Sequence, residues 1–190
     1  MTAPRKASFG DTCLPFMPDC YAFALSLTRR SHDAEDLVQD TFVKAQRAFA
    51  SFEPGTNAKA WLFTILRRLH IDRYRRERIR PTPLPQDELV EMARGAGDMP
   101  REEAALPWDQ LPPGALEDAV NGVPDPFRLP VRLRDLDGLA YKEIGAILNI
   151  PAGTVMSRLH RGREYLRGVL VSLLEPDRGE AAGTEEGPRD

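Results

Sequence analysis

The chain has 190 residues, 42% of them hydrophobic and 29% charged, enough apolar content for ordinary cores in one domain or two small ones. No apolar run reaches membrane-spanning length, and the start, MTAPRKASFGD, lacks the apolar core of a signal peptide, so a cytoplasmic protein without membrane insertion is expected. The net charge of −3 is segregated, with +6 over residues 57–80 and +4 over 128–168 on either side of −8 over 81–127, the pattern of two nucleic-acid contacts joined by a stretch that repels nucleic acid.

The first long helix is expected over Asp19 to Arg30, carrying Tyr21, Phe23, Leu25 and Leu27. From Asp33, DAEDLVQDTFVKAQRAF places Ala34, Leu37, Val38, Thr41, Phe42, Ala45 and Phe49 on one stripe. Acids fall in its first turn and Lys44 and Arg47 come late, so pattern and macrodipole agree on a helix. The loop FEPGTN, Phe52 to Asn57, is a breaker. Trp61, Leu62, Ile65, Leu66 and Leu69 then mark a third amphipathic helix, whose other side carries Lys59, Arg67, Arg68, Arg73, Arg75, Arg76 and Arg78. Phe49, Phe52, Trp61, Phe63 and Tyr74 lie among these cations. Unstacked bases are held by pairing cationic grooves with aromatic platforms, although most of these rings must serve a core.

From Pro81 to about Pro113 proline, acid and small residues dominate without a repeating apolar position, which reads as a linker. A second helical unit runs to Leu174, its early helices broken or capped by Gly122, Pro124, Pro126 and Pro130, and an acidic tail follows. Within that unit YKEIGAILNIPAGTVMSRLHRGREYL reads as two short helices around a tight turn. Ile144, Ile147 and Leu148 form the apolar face of the first; Asn149 suits the left-handed cap and Pro151 cannot continue the helix. Thr154 is the expected N-cap of the second, with Val155, Leu159 and Leu166 buried and Ser157, Arg158, Arg161 and Arg163 offering donors. This is the design that puts a helix into the DNA major groove.

No catalytic constellation is present: His32, His70 and His160 are isolated, and no phosphate-cradling glycine loop or metal-ligand spacing occurs. Asp33, Glu35 and Asp36 are explained by the first turn of a helix, and Cys13 and Cys20 read as packing residues. Neither an enzyme nor a cofactor or metal site is expected.

DAEDLVQDTFVKAQRAF followed by GTNAKAWLFTILRRLHIDRYRR resembles region two of a bacterial sigma factor of the extracytoplasmic-function group, and LRDLDGLAYKEIGAILNIPAGTVMSRLHRGREYLR resembles its region four. The resemblance implies an all-α protein of two small helical domains: region two over residues 10–80, an acidic linker over 81–112, region four over 113–174 and a disordered tail over 175–190. It implies a transcription initiation factor, with core RNA polymerase (the beta-prime clamp and beta subunits) and promoter DNA as partners. Asp36, Leu37, Gln39, Asp40 and Phe42 correspond to the surface that grips the clamp. Phe52, Thr56 and Asn57 correspond to a pocket for a flipped base of the minus-ten element, with Trp61 and Arg68 in the same contact and Lys59, Arg67, Arg73, Arg75 and Arg76 on the backbone. Thr154, Ser157, Arg158, His160 and Arg161 correspond to the minus-thirty-five contact, with Arg163 and Arg167 on phosphates. The linker would thread the enzyme's RNA exit path.

Two positions depart from the family pattern: Arg68 stands where Asn is common, and Met156 where a basic residue is usual. The segment GTNAKAW is similar to members controlled by small zinc-containing anti-sigma proteins, which makes such a protein a further expected partner. The rival reading is a one-component helix-turn-helix regulator whose upstream helices form a dimerisation or effector module.

Overall fold

The structure, a computed structural model, describes residues 8–77 and 114–174; the expected linker at 81–112 and tail at 175–190 lie outside the described residues. Helices account for the regular structure there, and no strand occurs among the described residues.

The first unit is a bundle of one short and three longer helices. Helix α1, Phe9–Cys13, is capped by Ser8, whose Oγ accepts from the Asp11 N–H at 3.1 Å. A single 3₁₀ turn leads to α2, Met17–Thr28. This helix begins and ends two residues before the expected Asp19–Arg30, because Arg29 turns left-handed at φ 59° and donates its N–H to the Leu25 carbonyl. Helix α3, Ser31–Ala48, buries Ala34, Leu37, Val38, Thr41, Phe42 and Ala45, the stripe read from the sequence. Thr41 is fully buried and satisfies its hydroxyl on the Leu37 carbonyl at 2.7 Å.

Helix α4, Ala58–Glu77, starts where Asn57 Oδ1 accepts from the Ala60 N–H. It buries Leu62, Phe63 and Leu66 completely, and Phe63 stacks on Phe23 of α2 with ring centroids 4.5 Å apart. Full burial of each such side chain is worth about 1.5–3 kcal/mol.

The second unit starts with α5, Ala115–Gly122, followed by a cis Asp125–Pro126 bond and the four-residue α6, Arg128–Val131. Pro130 sits in the first turn of α6, where a helix needs no backbone donor. The chain widens into a π turn over Arg132–Leu136 before α7, Tyr141–Leu148, and α8, Ala152–Leu174. The turn between α7 and α8 follows the sequence reading, with Asn149 left-handed at φ 56°. The Ile150 N–H returns to the Gly145 carbonyl at 3.0 Å. A β-carbon at Gly145 would stand 2.9 Å from the Ile150 carbonyl oxygen, so only glycine fits the crossing.

The relative placement of the units was open in the sequence. In the structure α4 packs against α2 and α3 and also against α7 of the second unit.

Candidate nucleic-acid interface

Helix α3 divides the residues assigned to polymerase. Asp36, Gln39 and Asp40 are exposed, whereas Leu37 is fully buried and Phe42 is 8% exposed, so these two support the surface from the core. Phe42 meets Phe9 edge-on at 6.3 Å. Beside the exposed face runs an apolar groove of about 880 Å³, lined by Phe9, Leu14, Met17, Tyr21, Gln39 and Val43 among others. Leu14, Met17 and Val43 are each more than two-fifths exposed, an unusual concentration on one side of a small bundle.

At the FEPGTN loop the aromatic residues form a continuous wall: Phe49 stacks on Phe52 at 5.8 Å and Phe52 leans on Trp61 at 5.1 Å. Thr56 and Asn57 are exposed next along the chain; the Thr56 hydroxyl donates to the Glu53 carbonyl. Loop and wall are adjacent, as a pocket for an unstacked base requires.

The cations of α4 separate into two groups. Arg68, Arg75 and Arg76 are exposed. The others, Lys59, Arg67 and Arg73, are paired or enclosed within the protein. Arg73 donates to both the Asp40 carboxylate and the Asp36 carbonyl, tying α4 to α3. Lys59 Nζ lies 2.8 Å from Asp19 of α2 and 3.4 Å from Asp137 of the second unit. Arg67 is largely enclosed: its Nε is buried without a hydrogen-bond partner, and burial pulls its pKa below the usual arginine value, with Asp125 opposing. The acids that hold these cations could not be found by spacing, because each pairs with a residue far along the chain.

In the second unit α8 begins at Ala152, so Thr154 is inside its first turn and is not the N-cap; its carbonyl accepts the Ser157 hydroxyl. Val155, Leu159 and Leu166 are buried as expected. Thr154, Ser157, Arg158, His160 and Arg161 are partly exposed along the same helix, and Arg167 is exposed. Burial lowers the Arg158 pKa. His160 Nε2 is 3.6 Å from Glu164, an ion pair when the imidazole is protonated. Arg163 is bound bidentately by Asp135 at 2.6 and 3.1 Å, which fastens α8 to the π turn.

Beneath the unit contact, Asp137 meets Lys59 and, at 3.8 Å, the buried Arg132, too far for a hydrogen bond between Arg132 Nε and the Asp137 Oδ2. Burial raises the Asp137 pKa, with Arg132 and Lys59 pulling it back. Among the described residues no His, Cys, Asp and Glu group has the arrangement of a metal site, and no helix is long and apolar enough to cross a membrane.

Comparison with known proteins agrees with this geometry. The model of Sigma-70 region 2 matches residues 15–79 and that of Sigma-70 region 4 matches 114–166. The chain is 41% identical over 153 residues to the ECF RNA polymerase sigma factor SigE of Mycolicibacterium smegmatis, covering 80% of this chain and 57% of that protein. It is 33% identical to the ECF RNA polymerase sigma factor EcfG of Rhodopseudomonas palustris, covering 88% and 87%. The sigma factor RpoE of Bartonella quintana, solved in complex with the anti-sigma factor NepR, superimposes with a TM-score of 0.57 at 32% identity over 87% of this chain and 95% of that one. These matches set aside the one-component regulator: the chain belongs to the extracytoplasmic-function RNA polymerase sigma factors, non-enzymatic initiation factors that direct transcription to promoters.

Proposed function

We propose that the two units divide the work of promoter selection in the cytoplasm, with core RNA polymerase and promoter DNA as partners. The exposed face of α3, Asp36, Gln39 and Asp40, with the apolar groove beside it, grips the polymerase clamp; Leu37 and Phe42 shape that face from below. The wall of Phe52 and Trp61, with Thr56 and Asn57, takes a flipped base of the minus-ten element. Arg68, Arg75 and Arg76 track the separated strand, joined by Lys59, Arg67 and Arg73 once their present partners release them. Thr154, Ser157, Arg158, His160 and Arg161 enter the major groove of the minus-thirty-five element, Arg167 meets phosphate, and Arg163 holds the helix at its angle.

The observation that carries this reading is the aromatic wall running directly into a helix with exposed arginines, on a unit separate from the helix-turn-helix. Base capture requires that juxtaposition, and a major-groove reader alone does not. An anti-sigma factor is the expected third partner, supported by the NepR complex of the similar RpoE and, for a zinc-containing type, by the GTNAKAW segment. Run-off transcription with purified core polymerase and a promoter library tests the whole. Promoter-dependent transcripts are expected, and their absence with active core and suitable promoters would refute it.

A further inference from the structure

Met156 is an apolar residue of α8 that the packing does not use. Val155, Leu159 and Leu166 are buried and Gly162 fits against Val131 and Phe127, so these residues mark the packed side of the helix. Met156 lies outside that strip. It is partly exposed, and it joins neither the buried core nor the partly buried residues packed against it. A helical side chain leans over the turn before its own Cα, which for Met156 holds Ala152 and Gly153. Both are exposed, and a β-carbon at Gly153 would meet nothing within 4 Å, so no neighbouring side chain roofs that turn. Met156 also shares a face with His160, one turn on, and adjoins Ser157 and Arg158. An uncovered apolar side chain thus stands among the donors of the first turns of α8, where a helix in the major groove meets base edges.

The chemistry of the thioether restricts what it can meet there. It has no proton to give a phosphate oxygen and is only a weak acceptor, so neither the DNA backbone nor a base amino group is a fitting partner. The thymine 5-methyl is the apolar group that a base pair presents in the major groove. Methionine suits it, being unbranched and polarisable, with a side chain that adapts to the surface it meets. The neighbouring Ser157 hydroxyl is turned to the Thr154 carbonyl at 3.1 Å, which leaves Met156 the more prominent group at this level of the helix.

We propose that Met156 is a specificity-determining residue that reads a thymine 5-methyl group in the minus-thirty-five element. The proposal rests on the placement of α8 in that element, as above. It makes one A·T pair preferred through apolar contact, in the same helix whose arginines suit guanine edges and phosphates.

The test uses the full chain with core polymerase and a promoter recovered from the run-off library. Each thymine of the minus-thirty-five element, on either strand, is replaced in turn by deoxyuridine, which removes the 5-methyl and leaves every hydrogen-bonding atom in place. Holoenzyme affinity is measured by filter binding. At one thymine the wild type is expected to lose about fourfold, the worth of one buried carbon. Met156→Ala is expected to bind the native promoter more weakly by a similar factor and to be indifferent to deoxyuridine at that position. Met156→Leu, which keeps an apolar side chain, is expected to retain most of the sensitivity.

A wild type insensitive at every thymine overturns the proposal. So does an element without an A·T pair, or a Met156→Ala protein that keeps the full deoxyuridine effect. Should Met156→Ala lose helicity by circular dichroism, Met156→Gln takes its place, and a full deoxyuridine effect in that variant overturns the proposal equally. Wild-type holoenzyme that binds as tightly with the minus-thirty-five element scrambled would strike the placement of α8 in that element instead.

Discussion

Leu37 and Asp36 are neighbours in sequence with opposite environments, and substitution separates their roles. Leu37 is fully buried, so Leu37→Ala is expected to lower stability by about 2–5 kcal/mol through lost packing, seen as a fall in the denaturant midpoint. Asp36 is exposed, so Asp36→Ala is expected to leave that midpoint within about 0.5 kcal/mol while weakening binding to core polymerase, measured by fluorescence anisotropy. Asp137 poses a different question. Its pKa is raised by burial, so its contribution to stability is fully present below the unfolded carboxylate value and is lost as pH rises through the raised one. At neutral pH its charge is tolerated because Lys59 and Arg132 face it, and each of these has a second acid, Asp19 and Glu117. Asp137→Asn is therefore expected to melt no lower than wild type at about pH 7, with any gain shrinking toward about pH 4. A lower melting temperature at neutral pH would contradict this balance.

Two glycines carry the geometry of the helix-turn-helix elements. A β-carbon at Gly162 would collide with Val131 Cγ2 and press on Phe127, where α8 crosses α6. At Gly145 the obstacle is the Ile150 carbonyl, backbone that cannot rotate away. Gly145→Ala is expected to destabilise the protein by about 1–3 kcal/mol in thermal melts, despite the better helix propensity of alanine. Neither close approach was visible in the sequence, since it depends on which helices cross. The helices themselves were largely legible: the stripe of α3 and the Asn149 cap gave their periodicity and stop signals directly. The start of α8 was misplaced at Thr154 because a side chain suited to capping was not needed there. The helix begins at Ala152 with the Pro151 carbonyl accepting from Val155. The bend near Pro130 also became intelligible only in three dimensions, with the proline in a first turn. In the candidate site, aromatic and basic composition was legible but the fate of each cation was not. Arg73, Arg163 and Lys59 differ from Arg75 and Arg76 by acids that come from other helices.

For the whole molecule, these pairings mean that the basic charge counted along the chain overstates what the free protein offers to DNA. In the polymerase–promoter complex Lys59 is expected to neutralise one phosphate. Lys59→Ala should then reduce the slope of log affinity against log salt for the polymerase–promoter complex by roughly 0.7, the single-strand value for one contact. Nitrocellulose filter binding over a salt series measures it, and an unchanged slope would remove Lys59 from the strand contact. Cys20 adds a reporter that needs no engineering. The thiol is fully buried on α2 and its pKa is pushed up to about 12, chiefly by burial, with Asp19 and Asp137 adding to the rise. Alkylation proceeds through the thiolate, so at about pH 8 Cys20 should react far more slowly than an unperturbed cysteine. The rate at which iodoacetamide labels Cys20, followed by peptide mass spectrometry, should therefore increase in Asp137→Lys, where a cation replaces an acid that holds the thiol protonated: the sulfur reads the charge of a residue far along the chain.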